Sequence, residues 1–324
     1  MKEAPVPPAL SGRPLDGAVR TLFSFSWNQA REAVRTGKIA VDGVVITDGL
    51  KFVRTGQTVR WDEAARRPRP ETDLPKEAVA FVDNHVVVVE KPSGISTIPF
   101  DEKETGTLDA RVRSWLAAHD RNLRGARGAP PTLGIVHRID KETSGVMVAA
   151  KTDAAHQGLS ALFSRHDIDR MYLALVRGAP QPAADTITTQ LGRSPGDRKK
   201  MAVLKVGGRE AITDYGVQKA YAVPARAGAA PLASRVACTL QTGRTHQIRV
   251  HMASKGSPIL GDAVYGSGSP AIPVRAAIAE AGLTRQALHA SVLGFVHPVT
   301  GEPLRFETDL PPDMQALETL LSAL

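Results

Sequence analysis

The chain has 324 residues, with 41 Lys and Arg against 33 Asp and Glu, a formal net charge of +8. That length admits two or three domains and at least one sizeable core, and the basic balance suits a polyanionic partner, although solubility alone also explains it. The single cysteine, Cys238, excludes an intrachain disulfide and a thiolate metal cluster, and no run of about 18 apolar residues is present to span a bilayer. The start, Met1-Lys-Glu-Ala-Pro-Val-Pro-Pro8, lacks the apolar stretch of a signal peptide, so a cytoplasmic chain, taken as a monomer, is expected.

Residues 10–63 read as a compact unit of two short helices and a small curled sheet. Ser26 with Gln29 three places on forms a capping box, and that helix stops at Gly37. Lys38-Ile-Ala-Val41 then meets Asp42-Gly43, a favoured pair for a tight hairpin, and Val44-Val-Ile46 returns. Residues 1–67 carry eleven Lys or Arg against seven Asp or Glu, half of the whole excess in about a fifth of the length. Arg31, Arg35 and Lys38 fall at i, i+4 and i+7, so one basic helix face is expected to meet phosphates, or simply to be solvated.

Residues 64–77, with three prolines and no periodicity, read as an exposed linker. From 78 to 310, apolar runs such as Val86-Val-Val-Val89, Gly145-Val-Met-Val-Ala149 and Tyr172-Leu-Ala-Leu-Val176 alternate with turns and short helices, which predicts an α+β domain built on a sheet. Residues 121–131 and 224–231, rich in Gly and Pro with Arg or Ala, are expected loops, and 311–324 is set apart as a C-terminal tail.

Three local patterns carry chemistry. His137-Arg-Ile-Asp-Lys-Glu-Thr-Ser-Gly145 lies between two core elements, so its loop can present Asp140 on a rigid base, though an isolated loop Asp is commonly a turn or capping residue. In Asp169-Arg-Met-Tyr-Leu-Ala-Leu-Val176, period two puts Tyr172, Ala174 and Val176 on one sheet face, where the phenol either stacks on a base or packs as core. In Thr242-Gly-Arg-Thr-His-Gln-Ile-Arg-Val-His-Met-Ala-Ser-Lys-Gly256, Thr245 can cap a short helix ending at Gly256, with Arg249 projecting away from Ile248 and Met252. A guanidinium there can hold a carboxylate through paired hydrogen bonds. His246 and His251, five apart, share a helical face poorly and have no thiolate to complete a set, so no metal is expected; they order the loop, touch RNA or serve the core.

Taken together these patterns resemble the RluA family of pseudouridine synthases, preceded by the small α/β RNA-binding domain also found in ribosomal protein S four. The resemblance covers roughly residues 10–310. The first motif has Ile139 where Leu is commoner, and its leading histidine separates this family from its small-subunit relative. Lys91-Pro-Ser-Gly94, Lys199-Lys-Met-Ala-Val203 and Gly261-Asp-Ala-Val-Tyr-Gly266 are similar to further family signatures, and Leu288-His-Ala290 with His297-Pro298 to the last. The resemblance implies a mixed or antiparallel sheet in the catalytic domain. It also implies Asp140 as catalytic aspartate, Tyr172 against the target base, Arg249 as partner of the aspartate, and Leu288, with Arg138 and His246, around the pocket.

It further implies structured RNA as partner, large-subunit ribosomal RNA in the first place and transfer RNA as the alternative. Uracil is detached at nitrogen 1, rotated and rejoined through carbon 5, with no redox change or net hydrolysis, so no cofactor is expected. Asp140 can attack the sugar, add to the base or remove the 2′ proton; the family favours the last, through a glycal. Two other classes stay open: a non-enzymatic RNA-binding or ribosome-assembly protein, and a hydrolytic nucleobase glycosidase, which needs an acid and base pair.

Overall fold

A computed structural model of the chain describes residues 1–46, 49, 51–65, 74–101, 104–119, 133–197, 200–221, 230–266 and 268–324. The chain divides into two compact units, Met1–Thr72 and Asp73–Leu324. Both loops expected at 121–131 and 224–231 fall largely outside the described residues, as do Lys199 and most of the expected linker.

The smaller unit runs β1 (Lys2–Pro5), α1 (Leu15–Phe23), α2 (Trp27–Arg35), β2 (Ile39–Val41), β3 (Val44–Val45) and β4 (Thr58–Trp61), with strand order β1-β4-β2-β3. Ser26 caps α2 through a complete box: its hydroxyl accepts from the Gln29 amide, and the Gln29 side chain accepts from the Ser26 amide. Asp42 and Gly43 take positive φ values of 50° and 82°, and Val41 pairs with Val44 across them, as a two-residue primed turn requires. Two expectations need correction. The unit begins before residue 10, because β1 pairs with β4 and Val6 is buried. Lys38 is not on the helical face of Arg31 and Arg35, because α2 ends at Arg35 and Gly37 turns the chain with φ 73°.

The larger unit runs β5 (Val79–Val82), β6 (Val86–Lys91), α3 (Leu108–His119), β7 (Gly134–Ile135), β8 (Ser144–Ala150), α4 (Asp153–Arg165), β9 (Asp169–Arg177), β10 (Ala184–Arg193), β11 (Met201–Leu204), β12 (Arg209–Tyr221), β13 (Ala233–Leu240), α5 (Gln247–Ser254), α6 (Ile272–Glu280), β14 (Leu288–Val296), β15 (Pro303–Glu307) and α7 (Pro312–Ser322). The described strands form one sheet of eleven, in the order β11-β10-β12-β13-β9-β14-β8-β6-β5, with β15 on β14 and β7 on β8. Every pairing is antiparallel except β14 with β8, so the sheet is mixed, as the α+β reading expects.

Central strands are apolar on both sides because both faces are covered. One face carries a core that includes Tyr172, Ala174, Val176, Ile248, Met252 and Leu288; the other packs β6 and β8 against Ala155 and Leu159 of α4. The C-terminal residues are a helix docked on the first of these cores rather than a tail, with Met314, Leu317 and Leu321 fully buried. Pro312 opens that helix at a position where no amide partner is needed, and the three apolar residues lie on one face.

One register row fixes where the loops meet. Lys91 is opposite Gly145, Gly145 opposite Ala290, and Ala290 opposite Tyr172, so four residues from distant parts of the chain stand side by side across β6, β8, β14 and β9. Gly145 has φ 129°, and a side chain there would overlap the backbone of Ala290. Gly145→Ala is therefore expected to destabilise the chain by about 3 kcal/mol or more; an unchanged urea midpoint would show that the row can open at no cost.

Acid should weaken this unit. Burial lowers the pKa of His251 and His289 to about 4, with Arg285 adding to the effect at His289, and burial with Arg170 lowers His137 to about 3. In the unfolded chain each takes up a proton near pH 6.5. The unfolded state therefore binds more protons below that point, so stability is complete above about pH 6.5 and declines as pH falls towards 4 and then 3. Urea midpoints should drop across this window, and His251→Gln should lessen the slope by about one proton; a pH-independent midpoint between 6.5 and 5 would refute this.

Candidate active site

Asp140 sits in the loop between β7 and β8, and the loop is held by its own carbonyl oxygens. Thr97 Oγ1 donates to the Ile139 carbonyl at 3.2 Å, and the Thr143 amide to that of Asp140 at 3.0 Å. The Lys141 carbonyl accepts from the Gly94 amide at 2.9 Å and from Lys91 Nζ at 3.0 Å, and the Glu142 carbonyl from Arg285 Nη1 at 3.2 Å. Four consecutive acceptors are thus satisfied, leaving the loop little reason to exchange conformations.

Two buried cations do much of this. Lys91 Nζ also donates to the Pro92 and Ile95 carbonyls at 2.9 and 2.8 Å, so its three acceptors match the three N–H bonds of an ammonium group. Burial pulls its pKa down to about 7, against the attraction of Glu142 and Asp140. Arg285 binds both oxygens of Asp313 on α7, at 2.7 and 2.8 Å, while the same guanidinium reaches the Glu142 and Leu288 carbonyls. The C-terminal helix thereby braces both the Asp140 loop and the start of β14.

Arg249 comes from α5, whose residues Gln247 to Met252 are all buried. Its N-cap is His246, with φ 56°, and not Thr245 as expected. The reason is Gln247: its side-chain oxygen accepts from the Arg244 amide and from Thr242 Oγ1, both at 2.9 Å, which closes the turn one residue later.

The Arg249 guanidinium, with its side chain 7% exposed, is shared between two carboxylates. Nε and Nη2 donate to the two oxygens of Asp262 at 2.8 and 3.0 Å, and Nη1 donates to Asp140 Oδ2 at 2.9 Å. Asp262 is fully enclosed, whereas the Asp140 side chain is 23% exposed. Burial works against the charge on Arg249, but the bonds and charge of Asp262, then those of Asp140, outweigh it and raise its pKa. Burial likewise opposes the charge of Asp262, and Arg249 with the Tyr265 and Val264 amides overcomes it, so its pKa is lowered. The Tyr265 ring lies 5.0 Å from the guanidinium.

Of the other sequence candidates, Tyr172 is buried, and burial, with Arg170 opposing and Asp140 adding, pushes its phenol up to about 12, leaving it neutral at physiological pH. His246 places Nε2 3.9 Å from Asp140 Oδ2 and Nδ1 2.7 Å from the Tyr265 hydroxyl. Burial lowers its pKa against the pull of Asp140, so the imidazole is neutral at pH 7 and the contact is not an ion pair. Leu288 is buried in the same apolar cluster as Tyr172 and Ile248. Arg138 is exposed and makes no bond to the Asp140–Arg249 pair. His251 does not join the group: its ring nitrogens bond to Thr189 and Thr213, both at 2.9 Å.

Sequence reasoning does not single out Asp262, Tyr265, Lys91 or Arg285, although the first three stand inside segments similar to family signatures. A cavity of about 240 Å³ opens beside Asp262, with Arg177, Pro258, Gly261, Arg275 and Ile278 among its walls; Asp140, Tyr172 and Leu288 do not line it.

Comparison with known proteins identifies the family and the fold. Residues 85–254 match the family model described as RNA pseudouridylate synthase. The chain is 39% identical over 329 aligned positions to ribosomal large subunit pseudouridine synthase D of Xanthomonas campestris, covering 99% of this chain and 92% of that protein. It is 40% identical over 314 positions to the protein of the same name from Zymomonas mobilis, covering 95% and 93%. Among solved structures, human RNA pseudouridylate synthase domain containing 1 superposes with a TM-score of 0.54 at 26% identity, over 74% of this chain and 86% of that one. Human RNA pseudouridylate synthase domain containing 4 shares the fold, with a TM-score of 0.58 at 22% identity over 76% of this chain and 93% of the other. The chain belongs to the RluA family of pseudouridine synthases.

Arg249→Lys keeps the charge but loses the fork that reaches two carboxylates at once. It is expected to lower kcat for pseudouridine formation by ~100-fold, with a smaller effect on KM; turnover at the wild-type rate would show that the shared guanidinium is dispensable.

Proposed function

We propose that this enzyme converts uridine to pseudouridine in large-subunit ribosomal RNA, in the cytoplasm, with Asp140 acting on the target nucleoside. The observation that carries the reading is the carboxylate of Asp140, partly exposed and fixed at 2.9 Å from a buried guanidinium. The ribosomal substrate is supported by the names of relatives that match this chain over nearly its whole length.

In the reaction the bond between nitrogen 1 and the sugar breaks, the uracil turns while still held, and carbon 5 bonds to the sugar and gives up its hydrogen. A uridine stacked in folded RNA must first be extruded, at a cost of a few kcal/mol. The neutral Tyr172 phenol is suited to stack on the extruded base, and an apolar wall from Leu288 to keep water from the detached uracil. Arg249 orients Asp140 towards the sugar; in this reading Asp140 takes the 2′ proton as the bond to nitrogen 1 breaks, giving a glycal, and returns it to carbon 2′ when carbon 5 bonds to carbon 1′. His246, neutral and beside Asp140, and Arg138, exposed on the same loop, complete the pocket in this reading. The smaller unit is assigned to RNA binding on its charge excess and its resemblance to the domain of ribosomal protein S four.

Hydrolysis by a paired acid and base is less well supported, because the second carboxylate bound to Arg249, Asp262, is enclosed with both oxygens clamped on that guanidinium. A purely assembly-related role leaves the shared guanidinium without a purpose.

With RNA labelled by tritium at carbon 5 of uridine, Asp140→Asn should abolish tritium release while keeping the urea midpoint and most of the RNA affinity, because volume is preserved and only the charge is lost. Turnover by the Asn variant would remove Asp140 from the chemistry, and free uracil released by the wild-type enzyme would point to hydrolysis instead.

A further inference from the structure

The basic character of the smaller unit does not lie where helical spacing alone puts it. Arg35 is engaged on its own helix, where Nε and Nη2 bind the Glu32 carboxylate at 2.6 to 3.0 Å, and Lys38 lies beyond the helix end. Two other arginines converge on one aromatic ring. Trp27, the first residue of α2, is 46% exposed, and the outer edge of its indole rests over Gly17 of α1. The guanidinium of Arg20, from α1, stands 5.0 Å from the indole centroid, and that of Arg31, one turn further along α2, stands 5.4 Å from it.

Such a grouping needs a physical reason. Both arginines are exposed, and two like charges drawn to one ring stand within about a Debye length of each other, ~10 Å at 0.1 M salt. Among the described residues Arg20 has no carboxylate partner, and Arg31 has only Asp16, at 3.7 Å from its Nε. Attraction to the indole face, ~0.5 to 1 kcal/mol for each exposed pair, offsets the repulsion. It also restricts two side chains that otherwise lose much rotamer freedom on binding. Attraction to a ring uses no hydrogen bond, so the N–H groups of the guanidiniums, apart from Arg31 Nε beside Asp16, stay able to bind phosphate oxygens.

We propose that Arg20, Trp27 and Arg31 form a preorganised clamp for the phosphodiester backbone of RNA, in which the two guanidiniums bind phosphates and the indole holds them ready. This rests on the RNA-binding reading of the smaller unit and assigns it a site. The clamp is indifferent to base identity, so it contributes to holding the substrate and not to choosing the uridine.

The test uses the full chain and an in vitro transcript of large-subunit ribosomal RNA, with equilibrium binding measured over a salt series and folding checked by thermal midpoint. Arg20→Ala with Arg31→Ala should weaken binding about tenfold and reduce the slope of log affinity against log salt by ~0.7 to 0.9 for each phosphate that is no longer neutralised. Trp27→Ala should weaken binding several-fold with little change of slope, because the charges remain but are no longer held, and Trp27→Phe should recover most of the loss. Arg35→Ala should leave both quantities unchanged. A second chain carrying Lys38→Glu, Lys51→Glu and Arg54→Glu separates the two ways of failing. If it binds poorly while the Arg20 and Arg31 double variant binds normally, the unit holds RNA elsewhere and the clamp is wrong. If neither set alters affinity or slope, the RNA-binding reading of the unit falls with it.

Discussion

One guanidinium serving two carboxylates is the constraint on which the larger unit's site depends. Arg249 spends its fork on Asp262, which is enclosed, and so presents a single remaining N–H edge to Asp140. Isolated burial of Arg249 or Asp262 costs several kcal/mol, and removing one partner of a buried pair typically costs ~3 to 5 kcal/mol, so these two stand or fall together, whereas the partly exposed Asp140 can lose its charge at little cost in stability. The division of labour follows from accessibility. Asp262 is anchored by Arg249 and by the amides of Val264 and Tyr265, whereas Asp140 keeps an exposed side. An anchored cation can therefore aim the accessible carboxylate without being drawn out of place by it.

The backbone of the Asp140 loop is prepared in the same spirit. Its carbonyls at 139 to 142 are all bonded, that of Asp140 by the Thr143 amide within the loop and the others by donors from distant parts of the chain: Thr97, Gly94 with Lys91, and Arg285. Directly after the loop, Ser144 bonds to His289 at 2.9 Å and Gly145 lies flat against Ala290. The loop is thus tied to β6 and to β14, and through Arg285 and Asp313 to the last helix. For a carboxylate proposed to meet a nucleotide drawn out of an RNA fold, this preparation matters, because a reorganising loop would add to the energy already needed for unstacking. The neutral phenol of Tyr172 stands opposite Ala290 in the same register row, and in the proposed reaction it meets the base of the nucleotide on which Asp140 acts.

Features set by neighbours a few residues away were legible in the chain itself. The capping box at Ser26 and Gln29, the Asp42-Gly43 turn and the period-two face of Tyr172, Ala174 and Val176 each depend on contacts within one turn or one strand, and each is found. The motif around Asp140 and the one around Arg249 were readable as well, as was their pairing, because a carboxylate and a guanidinium in two family motifs imply each other. The α2 basic face was misplaced for a local reason: spacing counts residues past the helix end as if the helix went on.

What the sequence alone determined is the inventory: two units, a sheet-based α+β domain, an aspartate, a tyrosine and an arginine in recognisable settings, and the family they define. Only the tertiary structure decided who supports them. Asp262 as the second claim on Arg249, Lys91 as an ammonium group answering three carbonyls, Arg285 joining α7 to the loop, and the C-terminal residues as core rather than tail all rest on contacts between residues far apart in the chain. Such contacts follow from how an eleven-stranded sheet closes its register, where each partner is chosen by the strands beside it, and no window of neighbouring residues holds that information.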